Sequence, residues 1–306
     1  MAIKYDNVIV FGPTGATGSA AAAEAAKRRA KVWLAMRDPS KAIKTLDEST
    51  GNFERIQADL SDPASVKAAV EKSGAKAAYT YQLHGSKDAM RGTIGAMKEA
   101  GIEYVVFLSS FTIFPEEDPR DIKQDRIIPY AHSSVEVTIE DAGLAATMLR
   151  PGAFAYNTFQ QNLVRDTEPW KGVIPQSTRK SDGIVPRDIG RVGGAVLVDR
   201  PNEGKKEIIY LYGPKLTTRE EQLAIASEIL GKKIEVETKN HEDFIQYLVN
   251  KGFPEFIAKY LVTSDNGQYN DRYYANGRHE EGVANVKKYS GTEATTLEQF
   301  VKENFA

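Results

Sequence analysis

Residues Val8 to Gly18 read V-I-V-F-G-P-T-G-A-T-G, a run of apolar β-formers that breaks directly into Gly12-x-x-Gly15-x-x-Gly18. The alanine-rich stretch Ser19 to Ala26 follows as a helix, and a second strand-like run, Lys31 to Met36, arrives at the interval a βαβ unit requires. Glycine there permits a tight strand-to-helix turn and close backbone approach to a pyrophosphate, whose charge is met by free N–H groups at the helix N-terminus. Such a triplet also occurs where a helix simply packs tightly on a strand. Its placement within a βαβ unit favours a dinucleotide site contacted by Gly12, Thr14, Gly15, Ala16, Thr17 and Gly18.

The residue ending the second strand selects the cofactor. An acidic side chain there would bind a ribose 2′-hydroxyl and repel a 2′-phosphate, but the chain has Arg37. A guanidinium forks onto phosphate oxygens and stacks on adenine, and Lys41 adds a second positive charge. NADP(H) is therefore expected over NAD(H). The competing reading is a solvated Arg37-Asp38 pair opening a helix from Pro39 to Leu46.

Up to Pro151, short β-rich runs alternate with helical patterns. Strands are read at Asn7–Phe11, Lys31–Met36, Phe53–Ala58, Ala75–Tyr81, Tyr104–Leu108 and Ala146–Leu149, and Asp62-Pro63 opens one of the helices as N-cap and first-turn proline. Six such units predict an α/β fold with a doubly wound parallel sheet, whose ligand lies beyond the strand carboxyl ends. Besides the loop and Arg37, those ends offer Asp59, Leu60, Gln82, Leu83, Ser109, Pro151 and Phe154 as cofactor contacts. Asp59 either accepts from an adenine amino group or caps the turn before Asp62.

Beyond residue 155 the rhythm changes to polar loops, Pro169 to Gly183 and Ser264 to Gly282, separated by amphipathic helices, with one further strand at Ile208 to Leu211. Thr218-x-x-Glu221 and Thr295-x-x-Glu298 read as capping boxes starting helices at Arg219 and Thr296. The expected division is a dinucleotide-binding domain over 1–155 and a smaller, mainly helical substrate lobe over 156–306, interleaved with it.

Composition narrows the functional classes. Forty Lys plus Arg against 42 Asp plus Glu give a net charge of −2, which provides no general pull toward nucleic acid or an anionic membrane. The chain has no cysteine, so disulfides, thiolate zinc sites and thiol nucleophiles are excluded. His241 and His279 lie far along the chain without a ligand-spaced partner, and no metal site is expected. Without a signal pattern or an 18-residue apolar run, the expectation is a cytoplasmic protein.

Taken together, G-P-T-G-A-T-G, M-R-D-P-S-K at Met36 to Lys41, Ala58-Asp59-Leu60, V-F-L-S-S at Val106 to Ser110 and M-L-R-P-G-A-F at Met148 to Phe154 resemble the NmrA-like family. That family belongs to the atypical short-chain dehydrogenase/reductases, which have a Rossmann fold. The resemblance covers most of residues 5 to 260 and weakens after about Thr263. It implies either an NADPH-dependent reductase of quinones, phenolic ethers or other conjugated small molecules, or an NADP(H)-sensing regulator without turnover that acts on a protein partner.

Ordinary short-chain reductases pair a proton-donating tyrosine with a lysine four residues on. Here Tyr130 is followed by A-H-S-S, which places Ser134 at the lysine position. A tyrosine without that cation is poorly matched to acid–base work at neutral pH. Some family reductases carry their lysine about two residues earlier, so His132 is the candidate substitute; imidazole titrates near physiological pH. His132 otherwise caps a helix from Ser133 to Ala142 or lies in a loop.

His132 and Tyr130 are thus the candidate catalytic residues. Ser109 and Ser110 end the fifth strand and can orient a carbonyl, while Phe111 leaves an expected third hydroxyl missing. His84, Ser110, Tyr156 and Phe159 are candidate pocket residues, with core packing the competing reading for the aromatics. The expected activity is NADPH-dependent reduction of a small conjugated or aromatic carbonyl or quinone-type compound; the alternative is the NADP(H)-sensing regulator.

Overall fold

The computed structural model describes residues 3–264 and 270–306. The chain divides into two compact units, each drawn from three segments. One comprises Met1–Pro151, Pro186–Leu211 and Asn285–Thr292; the other comprises Gly152–Val185, Tyr212–Ala284 and Glu293–Ala306. The first boundary thus falls at Pro151, four residues before residue 155, and the chain returns twice to the first unit.

The first unit contains β1 (Asn7–Phe11), α1 (Ala16–Lys27), β2 (Lys31–Met36), β3 (Phe53–Gln57), α2 (Pro63–Ser73), β4 (Ala77–Tyr81), α3 (Arg91–Glu99), β5 (Tyr104–Leu108), α4 (Ile127–Asp141), β6 (Ala145–Pro151), α5 (Pro186–Val198) and β7 (Lys206–Leu211). The strands form one sheet in the order β7-β6-β5-β4-β1-β2-β3 with every pairing parallel. This is the doubly wound, Rossmann-like α/β architecture. Strand order reverses beside β1, and crevices form at the carboxyl ends next to such a reversal.

Alternation along the strands fills two layers. Ile9 and Phe11 of β1 pack with Val66 and Val70 of α2, Ile94 and Met97 of α3, and Val135 and Ile139 of α4. Tyr79 of β4 and Leu149 of β6 face Gly193 of α5 on the other side. There α1 and α5 approach backbone to backbone. A Cβ added at Gly190 would lie 2.4 Å from the Thr17 carbonyl oxygen, and one at Gly194 would lie 2.3 Å from the Ala21 oxygen. The small residues of both helices therefore fix α1, and with it the N-terminus of α1, against the sheet.

Two local expectations change. Residues 39–46 form turns rather than a helix, because Asp38 Oδ1 accepts the Ser40 N–H at 2.9 Å and its hydroxyl at 2.6 Å and so closes an Asx turn. The last helix is Leu297–Phe305, capped by Thr296 with Gln299 as the reciprocal partner; the box lies one residue later than Thr295 and Glu298. The Thr218–Glu221 box is present as expected.

The second unit contains helices Ala155–Asn162, Arg219–Leu230, His241–Asn250 and Glu255–Ser264 together with a three-stranded sheet of Leu163–Val164, Trp170–Pro175 and Ile234–Lys239. The region 169–183 is thus strand as well as loop, including Lys180–Ser181 paired with Thr217–Thr218. Within the expected loop from Ser264 to Gly282, residues 265–269 lie outside the described residues, and helices Asn270–Tyr274 and Arg278–Ser290 occupy much of the rest. A buried carboxylate ties this unit together: Asp182 accepts the N–H of Ala153 and of Gly213, each at 2.9 Å, and the Tyr274 hydroxyl at 2.8 Å. Burial raises its pKa while those donors oppose the rise. Among the described residues no helix is long and apolar enough to cross a membrane, and no cluster of three or more His, Asp or Glu side chains is set to hold a metal.

Candidate active site

Each glycine of the loop between β1 and α1 has a distinct task. Gly12 sits at φ +72, and a Cβ there would lie 2.5 Å from the Tyr81 ring. At Gly18 a Cβ would lie 2.3 Å from the Gly12 carbonyl oxygen, so these two positions exclude any side chain. Gly15 differs: its Cβ would meet the Gly12 oxygen at an ordinary 3.5 Å, and its N–H donates to that oxygen at 3.1 Å. Gly15 is the N-cap of α1 and provides no side-chain acceptor. The first-turn N–H groups are therefore directed toward whatever lies over the exposed residues Thr14, Gly15 and Ala16. This is a cradle that fits a pyrophosphate.

Arg37 directly follows β2, is exposed, and among the described residues has no ion-pair or hydrogen-bond partner. Its charge helps lower the Asp59 pKa, although the Ser61 N–H and hydroxyl lower it more. Asp59 Oδ1 accepts both at 2.9 and 2.7 Å, so of its two readings the turn-capping one describes its bonds. Tyr81, unnoticed in the sequence because it reads as the last residue of a strand, feels the charges of both Arg37 and Asp59, and burial raises its pKa. Lys41 is exposed in the turn after Arg37. Leu60 is buried and its carbonyl accepts the Thr93 hydroxyl at 2.7 Å, whereas Gln82 and Leu83 occupy the half-buried loop after β4.

At the end of β5, Ser109 donates to the buried Glu136 carboxylate at 2.6 Å. The Ser110 hydroxyl lies 2.8 Å from that of Thr112. Thr112 thus supplies the third hydroxyl that Phe111 appeared to remove, one position later in the chain. The Pro151 carbonyl accepts the Phe111 N–H at 3.1 Å and holds this turn against β6.

His132 lies within α4, neither capping it nor in a loop, with its ring edge-on to Phe107 at 6.5 Å between centroids. Its Nδ1 is enclosed and has no hydrogen-bond partner among the described residues. Burial pushes its pKa down to about 4; Glu136 opposes this, and the charges of His84 and Arg150 add to it. The expectation of an imidazole titrating near neutrality is therefore corrected: the ring is neutral at pH 7 and can offer an N–H or a lone pair, but not a stored proton. The exposed His84 is close enough to share this environment.

Tyr130 does not join His132. It lines an outward-facing cavity together with Ser134, and its hydroxyl oxygen accepts from Gln124 at 3.1 Å. Residues two apart on a helix are separated by roughly 200°, so α4 sends one candidate toward the sheet and the other away from it. The two candidate catalytic residues therefore do not converge on one point of α4.

The pocket aromatics belong to the second unit. Phe159 is 4% exposed and packs on Phe300 and Phe305 at 6.0 and 5.1 Å, which is core packing. Phe154 is the N-cap residue of helix Ala155–Asn162, and Tyr156 is 46% exposed.

Known proteins place this arrangement. The NmrA-like family model matches residues 4–301. A curated relative, the nitrogen metabolite regulation-like protein bik4 of Gibberella fujikuroi, is 38% identical over 317 aligned positions spanning 97% of this chain and 96% of its own. Among solved structures, an NADPH-dependent quinone oxidoreductase from Escherichia coli complexed with NADPH superposes with a TM-score of 0.73 at 20% identity, covering 98% of this chain and all of that one. Nmra, a negative transcriptional regulator, superposes with a TM-score of 0.72 at 14% identity, covering 98% and 96%. At those identities the two structures establish the fold, and the sequence match establishes the lineage: the chain belongs to the NmrA-like family.

Proposed function

We propose that this protein is an NADPH-dependent reductase of small conjugated or quinone-type carbonyl compounds. The residues present fit NADP(H): the Gly12–Gly18 cradle takes the pyrophosphate on the first turn of α1, and the unpartnered Arg37 takes a 2′-phosphate. The Escherichia coli neighbour, whose complex contains NADPH, supports the same choice.

When bound, NADPH supplies a hydride. The chain's own contribution is orientation, exclusion of water and hydrogen-bond donation. The observation that carries the enzyme reading is the enclosed, unpartnered Nδ1 of a neutral His132. Buried polar atoms are rarely left unsatisfied without a task, and a neutral imidazole N–H suits polarising a carbonyl or quinone oxygen. The Ser110–Thr112 hydroxyl pair is a second source of donors.

A second reading, an NADP(H)-sensing regulator that acts on a protein partner, is favoured by two observations. Ser134 stands where a cation would be, and the 38%-identical Gibberella relative is described as regulation-like. Oxidation of NADPH by the purified protein across quinones, enones and aldehydes separates the two. Turnover that His132→Ala reduces at least tenfold supports the reductase. Tight NADPH binding with no turnover overturns it in favour of the sensor.

A further inference from the structure

The outward face of α4 contributes to a cavity of about 750 Å³ whose edge reaches Gln82, one of the expected cofactor contacts after β4, and whose remaining lining the reductase reading leaves unused. Its walls are the 85–91 loop before α3, the 119–127 segment and the face of α4 that carries Tyr130 and Ser134. A cavity of that size accommodates a small organic molecule.

The lining is asymmetric in charge and in hydrogen-bonding capacity. It contains Lys87, Arg91 and Arg120 against a single carboxylate, Asp88. Asp88 is occupied, since it accepts the Gly92 N–H and the Ser86 hydroxyl, each at 2.9 Å, to start α3. Arg120 is held by Asp141 at 2.7 Å. Lys87 and Arg91 are exposed and have no ion-pair partner among the described residues.

Tyr130 contributes another donor. Its oxygen already accepts from Gln124, which leaves the hydroxyl proton to be given. Ser134 is not available in the same way, because its hydroxyl donates to the Tyr130 carbonyl at 2.7 Å. Beneath these groups lies an apolar floor that includes Ile122 and Val135, 6% and 1% exposed. The cavity thus presents unpaired donors and cations over an apolar base, with its one carboxylate already bonded.

We propose that this cavity is a second small-molecule site, apart from the glycine cradle, for a planar apolar monoanion of the aryl carboxylate class. The ring lies on the Ile122–Val135 floor, and the carboxylate takes Lys87 or Arg91 and the Tyr130 hydroxyl. The site does not depend on the protein being a reductase.

The test is calorimetric titration of the full chain with 1-naphthoate in the presence of saturating NADP+, with 1-naphthalenemethanol as the uncharged counterpart. The expected result is a single naphthoate site. It should be weakened tenfold or more in a Lys87→Glu/Arg91→Glu variant and lost in Ala131→Trp, with the alcohol binding at least tenfold more weakly. Lys87 and Arg91 are exposed, so their reversal reads out even where Ala131→Trp fails to fold. Absence of naphthoate binding, binding unchanged by the charge reversal, or equal binding of the alcohol overturns the proposal.

Discussion

Glu136 of α4 and Arg150 of β6 meet fork to fork inside the first unit, Nε to Oε1 at 3.0 Å and Nη2 to Oε2 at 2.7 Å, with side chains 0% and 1% exposed. The remaining capacity is also used. Arg150 Nη1 donates to the Ile113 carbonyl at 3.2 Å and to the Tyr210 hydroxyl at 2.9 Å, while Glu136 Oε1 accepts from Ser109. One ion pair therefore ties α4, β5, β6 and β7 together directly behind the hydroxyl row.

Removing Arg150 leaves the buried Glu136 carboxylate with only the Ser109 hydroxyl and the more distant Lys206 ammonium at 3.8 Å. Arg150→Met is expected to cost about 3–5 kcal/mol in urea denaturation, whereas the Glu136→Leu/Arg150→Met pair recovers most of that loss. Equal destabilisation by the single and double variants would show that packing, not the unpaired carboxylate, sets the cost.

The three loop glycines are expected to respond differently to alanine. Gly15→Ala meets only van der Waals contact at 3.5 Å, so its melting temperature should stay near that of the parent. Its methyl nevertheless intrudes where the backbone approaches the pyrophosphate, and NADPH affinity should fall about tenfold or more. Gly18→Ala collides with the Gly12 carbonyl and should lose both stability and binding. Thermal melts alongside NADPH titrations of the two variants test this ordering.

The elements and the cradle were readable because their signals are local. Strands β1, β2 and β5 have the expected bounds because each is a short apolar run ended by turn residues, and the loop motif sits where strand and helix periodicities meet. The turn at residues 39–46 misleads because Asp38 satisfies the backbone through Ser40, a competition that propensity does not capture. Thr112 escapes notice because a two-residue turn, not adjacency, brings its hydroxyl to Ser110. Glu136 and Arg150 look like one residue of a helix face and one of a strand, and only the packing of α4 on the sheet reveals the pair. The shifted pKa of His132 is likewise a property of its burial, which no spacing rule supplies.

Arg37 provides a direct test of cofactor choice. Exposed and without a partner among the described residues, it loses no internal bond when replaced, so substitution acts on the ligand. Arg37→Asp should remove a charge-assisted interaction of about 1.5–3 kcal/mol with a 2′-phosphate and offer a ribose hydroxyl an acceptor instead. The NADPH-to-NADH affinity ratio is therefore expected to fall by at least about tenfold. An unchanged ratio would move 2′-phosphate recognition to Lys41 or elsewhere.

His132 makes the stability of this protein depend on acid in a defined window. In the unfolded chain its imidazole protonates near the ordinary value of 6.5, and in the folded chain at about 4. Between those values the unfolded chain binds the extra proton, so stability is complete above about pH 6.5 and declines as pH falls toward 4, below which this loss levels off. The magnitude is on the order of 3 kcal/mol. Urea midpoints of the parent should therefore drop more steeply between pH 6.5 and 4 than those of His132→Asn, whose side chain does not titrate. Under the reductase reading, the same neutral ring predicts a kcat/KM with no inflection from this histidine near pH 6.5. Parallel midpoints in parent and variant would mean that the ring titrates in the native state as it does in the unfolded chain, and an activity step at that pH abolished by His132→Asn would mean that it acts as a proton donor.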